Sequence, residues 1–104
     1  MRQTTLDPAL FRERAADAAK LLRTMSNEHR LMILCRLEGG ELSAGDLLAG
    51  TTLSQSALSQ HLAVLREDGL VATRRAGLNI FYRIADPSAL RVIETLAEIF
   101  CPKE

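Results

Sequence analysis

The stretch Ser54-Gln-Ser-Ala-Leu-Ser-Gln-His-Leu-Ala-Val-Leu-Arg66 decides the fold, read together with the residues after it: Gly69, then Leu70-Val-Ala-Thr-Arg-Arg75 and Ile80-Phe-Tyr-Arg-Ile84. Ser54 is a residue type that caps helices, because its hydroxyl can accept from a free backbone N–H of the first turn. Leu58, Leu62 and Leu65 recur at helical spacing and give one apolar face. Gly69 ends that helix, just after the acidic pair Glu67-Asp68. The hydrophobic period then changes, and 70–75 and 80–84 read as a β-hairpin around a turn at Ala76-Gly77-Leu78-Asn79.

The flanking punctuation is regular. Asp7-Pro8 is a cap followed by a first-turn proline, opening a helix over about 8–24. Ser26 is the expected cap of a second helix, with an apolar stripe of Leu31, Leu34, Cys35 and Leu37, and Gly39-Gly40 stops it. Ser43-Ala-Gly-Asp46 has the shape of a capping box and opens a short helix that ends near Gly50. The polar turn Thr51-Thr52-Leu53 joins it to the helix from Ser54. Asp86-Pro87 repeats the opening signal, and Leu90, Ile93, Leu96, Ala97 and Phe100 line a last helix that Pro102 cannot continue. The order is α-α-α-α-β-β-α. It is a mainly α chain with a β-hairpin wing, the winged helix-turn-helix pattern, in a single domain over 1–104.

Composition agrees. With 104 residues, 47% hydrophobic and 25% charged, the chain fits one soluble globular domain. A multidomain enzyme, a membrane protein and a disulfide scaffold are excluded. No apolar run approaches the roughly 18 residues of a membrane span. Met1 to Arg14 carries acids and no apolar block, so no signal peptide is expected and the cytoplasm is the expected compartment. Cys-x-x-Cys and Gly-x-Ser-x-Gly are both missing, so neither a thiol oxidoreductase nor a hydrolase is expected. Formal net charge is zero. The charge is unevenly spread, however: 54–83 sets Arg66, Arg74, Arg75 and Arg83 against only Glu67 and Asp68.

These residues point to double-stranded DNA. Ser54, Gln55, Ser56, Ser59, Gln60 and His61 occupy the N-terminal half of a helix suited to a major groove, where glutamine can pair with an adenine edge and serine with bases or phosphate. Arg74, Arg75 and Asn79 lie towards the hairpin tip, suited to a phosphate track or a narrow minor groove.

The stretch from Leu53 to Val71 resembles the recognition helix of the ArsR/SmtB family of bacterial repressors. Ile80–Ile84 resembles that family's wing, and Met25-Ser-Asn-Glu-His-Arg30 its second-helix entry. The resemblance covers roughly residues 15–100. It implies a homodimer built on the first and last helices, an inverted-repeat operator, and release by a chemical signal. The family's metal ligands do not match: Leu42-Ser-Ala-Gly-Asp-Leu47 stands where a cysteine cluster is needed, and 86–101 holds no histidine. No metal and no cofactor are expected, and a metal-responsive repressor is the least favoured alternative.

Two cysteines remain. From the residues alone, Cys35 reads as a small core hydrophobe and Cys101 as a helix-end residue. The pair resembles the persulfide-responsive BigR/SqrR-like subgroup, to which HlyU is related, with one cysteine in the second helix and one at the end of the last. That resemblance implies a redox-sensing pair, Cys35 and Cys101, bridged by a polysulfide or a disulfide. Low-molecular-weight persulfides or polysulfides would be the inducers. A general thiol-oxidant sensor, responding to peroxide or disulfide stress, is the alternative.

Overall fold

The structure is a computed structural model and describes residues 6–101. Its elements are α1 (Pro8–Met25), α2 (Glu28–Leu37), β1 (Leu42–Ser43), α3 (Ala44–Ala49), α4 (Gln55–Glu67), β2 (Val71–Ala76), β3 (Asn79–Ile84) and α5 (Pro87–Phe100). The expected order holds, with one strand added. β1 is two residues long and pairs antiparallel with β3, Leu42 opposite Tyr82 and Ser43 opposite Phe81, so the sheet order is β1-β3-β2. Pro102 and Met1–Thr5 lie outside the described residues. Among those described, no helix is long and apolar enough to cross a membrane.

The caps follow from local chemistry. The Asp7 carboxylate accepts from the N–H groups of Ala9 and Leu10, and Asp86 accepts from Ser88. Ser43 and Asp46 form the reciprocal capping box. The start of α2 differs from expectation. Asn27, not Ser26, is its cap, and Asn27 Oδ1 accepts from His29 at 2.8 Å and Arg30 at 3.1 Å. Ser26 instead closes α1, its N–H donating to the Arg23 carbonyl. The hairpin turn is also tighter. β2 runs through Ala76 opposite Asn79, leaving Gly77-Leu78 as a two-residue turn. Gly77 takes φ +64 and Leu78 does not take a positive φ, as in a type II′ turn.

One core joins these pieces. Ile33, Leu34 and Leu37 of α2, Leu47 of α3, Leu58, Leu62 and Leu65 of α4, and Ile93 of α5 are buried together. Removing one such leucine costs about 2–5 kcal/mol, a large share of the roughly 5–15 kcal/mol that holds a small domain folded. Cys35 is the correction in α2: it is exposed, not part of the apolar stripe. The buried face of α2 runs through 33, 34 and 37, and position 35 lies about 100° round the helix from 34.

α3 is held to α2 by Arg36, whose guanidinium donates to the carbonyls of Leu47 and Asp46, both at 3.0 Å. Gly50 leaves room for it, since a Cβ there would lie 2.4 Å from Arg36 Cζ. Gly50→Ala is therefore expected to displace the guanidinium and destabilise the domain by about 1–3 kcal/mol, the worth of hydrogen bonds to a charged group. The check is urea denaturation in a double-mutant cycle. In an Arg36→Ala background the same substitution should cost much less, and an equal cost in both backgrounds contradicts the packing account.

Candidate nucleic-acid interface and thiol site

Leu58, Leu62 and Leu65 turn inward, and this fixes what α4 presents outward. Gln55, Ser56, Ser59 and Gln60 are all exposed. Ser54 is the cap, its hydroxyl oxygen accepting from Ala57 N–H at 3.1 Å. Its own O–H stays available to donate. The resulting surface is short, polar and free of bulk, and α4 at 13 residues is about 20 Å long. Such a helix fits a major groove roughly 12 Å wide.

His61 is placed differently from its neighbours. It is half-buried and faces α2. Its Nδ1 lies 3.3 Å from Arg30 NH1, and its ring centroid is 5.6 Å from that of His29. A guanidinium can only donate, so Nδ1 is the acceptor and the ring is neutral in this arrangement. Burial first, then the charge of Arg30 and the nearby His29, push the His61 pKa below its ordinary value. Arg30 is itself anchored, its Nε donating to the Thr24 carbonyl at 2.6 Å. The Thr24 hydroxyl bonds the Asp68 carboxylate at the far end of α4. α4 is thus tied to α2 at its middle and to α1 at its end.

The wing separates its two arginines. Arg74 grips Glu41 with both arms of the guanidinium, Nε to Oε2 at 2.8 Å and NH2 to Oε1 at 2.7 Å. It also sits over Phe81, 4.6 Å from the ring centroid. The hydrogen bonds from Arg74 hold the Glu41 carboxyl below the usual carboxylate range, and Arg83 adds to this. Arg74 therefore clamps the wing to the segment before β1. Arg75 and Asn79 are exposed near the tip. Sequence reasoning missed Arg30, Glu41 and Thr24. Their roles depend on partners 6 to 44 positions away, and no local pattern marks them.

The cysteines lie in α2 and at the end of α5. Cys35 is exposed and lines a cavity of about 410 Å³ between α2 and α5, together with Glu38, Ile93, Glu94, Ala97 and Glu98. Cys101 is exposed at the end of α5 and donates its N–H to the Ala97 carbonyl at 2.7 Å. It stands one helical turn beyond a residue of that cavity. Both thiols are free. Among the described residues no group of three or more His, Cys, Asp or Glu gathers as a metal site.

Residues 27–73 match the family described as bacterial regulatory protein, arsR family. The chain is 48% identical over 92 residues to the biofilm growth-associated repressor of Agrobacterium fabrum, spanning 88% of this chain and 79% of that protein. It is 48% identical over 87 residues to the transcriptional activator HlyU of Vibrio cholerae, spanning 84% and 81%. The crystal structure of the transcriptional repressor BigR from Xylella fastidiosa superposes with a TM-score of 0.87 at 41% identity, covering 94% of this chain and all of that one.

The His61 arrangement carries a pH signature. Its folded pKa lies below its unfolded value near 6.5, so the unfolded chain binds the proton first. The stability it contributes is present above about pH 6.5 and is lost as pH falls towards the folded pKa. Urea denaturation between pH 7.5 and 5 should show a shallower loss of stability for His61→Gln than for the wild type. Identical slopes contradict the placement.

Proposed function

The chain belongs to the ArsR family of bacterial regulatory proteins, and on that premise we propose that it is a homodimeric repressor whose hold on an inverted-repeat operator is released when sulfane sulfur bridges Cys35 and Cys101. The family makes it a DNA-binding transcription regulator and not an enzyme. The repressor sign follows its biofilm-repressor relatives. The observation that carries the thiol reading is that both thiols are exposed and free, with Cys35 in the cavity between α2 and α5 and Cys101 one helical turn past Ala97 of its lining.

The homodimer reading rests on apolar surface. Leu10, Phe11 and Leu22 of α1 and Ile99 and Phe100 of α5 are all more than half exposed. Unpartnered side chains of this size mark an interface. The radius of gyration is 15.6 Å, above the roughly 13 Å of a compact chain of this length. A second copy packed on α1 and α5 would cover these residues and set two α4 helices on successive major-groove faces, one helical turn of DNA apart. In this reading Gln55, Ser56, Ser59 and Gln60 face base edges, with Ser54 at the groove entrance. Arg75 and Asn79 follow the backbone from the wing. His61 and Arg74 position these elements rather than read sequence.

The sulfur chemistry balances without a cofactor. A cysteine thiolate attacks the outer sulfur of a persulfide, the donor's S–S bond breaks, and the donor leaves as its thiolate. When both cysteines have reacted, the Cys35 perthiolate attacks the inner sulfur of the Cys101 persulfide and expels hydrosulfide. The product is a trisulfide. The cysteines are oxidised, and the donors' sulfane sulfur is the oxidant. Attack by one cysteine thiolate on the inner sulfur of the other's persulfide gives a disulfide by the same route. Extra sulfur widens the gap that can be bridged beyond the roughly 7 Å Cα separation that limits a disulfide. The bridge ties the end of α5 to α2, and a few kcal/mol of preference is enough to move most of the population off DNA.

Cys35→Ser and Cys101→Ser should each bind operator DNA as the wild type does and fail to release it on persulfide treatment, measured by fluorescence anisotropy. Normal release by either variant contradicts the two-thiol mechanism. Gln60→Ala should weaken binding to the operator by about 1–3 kcal/mol while leaving affinity for random DNA unchanged. Equal weakening on both assigns Gln60 to phosphate positioning.

A further inference from the structure

The cavity at Cys35 has a charge pattern that the two-thiol reading does not use. Of the six residues lining it, three are carboxylates, Glu38, Glu94 and Glu98, and none is basic. Arg36, the adjacent residue in sequence, donates instead to the carbonyls of Asp46 and Leu47 on the α3 side. About 410 Å³ is room for a small organic persulfide, since a water molecule takes roughly 30 Å³ of liquid. A donor that enters this cavity to reach Cys35 lies beside the three acids.

Resting on the two-thiol reading, we propose that Glu38, Glu94 and Glu98 make Cys35 select its sulfur donor by charge, favouring cationic and zwitterionic persulfides over anionic ones. The electrophile is the neutral outer S–H sulfur, so the rest of the donor sets its charge. Cysteamine persulfide is then net positive, cysteine persulfide is neutral and glutathione persulfide is net negative. Fixed acids raise the local concentration of the first and lower that of the last. The departing thiolate adds the same one negative charge for every donor, so the order among donors is set by the rest of the molecule. Cys35 is exposed to all three donors, and charge is what separates them. The acids do not touch the transferred sulfur; they are specificity residues, acting through the field at the cavity mouth.

The test is the rate at which bridged protein forms, followed anaerobically by intact mass on the full chain with each donor. Each rate is divided by that donor's rate with a small neutral thiol, to remove intrinsic reactivity. At low ionic strength the normalised rate should fall by about three- to tenfold for each unit of donor charge made more negative, as three unscreened charges within several ångströms imply. At about 0.5 M salt the three rates should converge, because the screening length is then only a few ångströms. In a Glu38→Gln, Glu94→Gln, Glu98→Gln variant they should converge at low salt too. Equal normalised rates in the wild type, or an order insensitive to salt, overturn the proposal without need of the variant. An order that survives in a folded variant overturns it as well. Failure of every donor to bridge the cysteines removes the two-thiol reading itself, a result separate from a flat order.

Discussion

α2 is the element that touches both the α4 side and the α5 side of the molecule. It packs on α4, the reading helix, and also on α1, β3 and α5. Leu34, at its centre, has no exposed surface, and Leu37 has almost none. An interior this close-packed does not deform continuously; it moves from one packing to another. In the proposed function, a change in how α5 sits on α2 is passed to α4, since α2 packs on both. Cys35 lines the cavity between α2 and α5, and Cys101 closes α5. The proposed function separates signal from output within one packed core, as a ligand-biased two-state element requires.

Around that helix, residues divide into those that hold and those that read. Arg30, Thr24, Asp68 and His61 tie α4 to α1 and α2. Arg36 ties α3 to α2. Glu41 and Arg74 tie the wing to the chain before β1, and Phe81 supports the guanidinium from the neighbouring strand. In the proposed function the exposed polar groups of α4 and the exposed Arg75 of the wing face DNA. Charge alone does not assign a role here: Arg74 and Arg75 are adjacent in sequence, yet among the described residues only Arg74 of the two is gripped by a carboxylate.

Much of the fold is legible in the sequence because its signals are local. The leucine spacing of α4, the Asp-Pro openings of α1 and α5, the Ser43–Asp46 capping box and the change of period at Leu70 each concern residues a few positions apart. β1 is not legible: two residues carry no period, and their strand character comes from pairing with β3. The cap of α2 falls one residue later than the sequence suggests, because Ser26 and Asn27 are both capping types and only backbone geometry chooses between them. Cys35 looks buried from its apolar neighbours, which suggest a stripe; the stripe passes beside it. In the candidate site, the outward set on α4 can be read from helical phase. The inward turn of His61 and the capture of Arg74 cannot, since both depend on partners more than 30 positions away.

The central claim is that sulfane sulfur joins Cys35 to Cys101 and that this joining takes the protein off DNA. Intact mass after anaerobic treatment with glutathione persulfide tests it most directly, beside peroxide and oxidised glutathione, with operator binding measured on each sample. The expected result is an intramolecular Cys35–Cys101 bridge carrying added sulfur in the persulfide sample only, together with loss of DNA binding there. Equal disulfide formation and equal release in all three samples would contradict sulfur selectivity and make the pair a general oxidant sensor. No modification in any sample would contradict the thiol mechanism altogether.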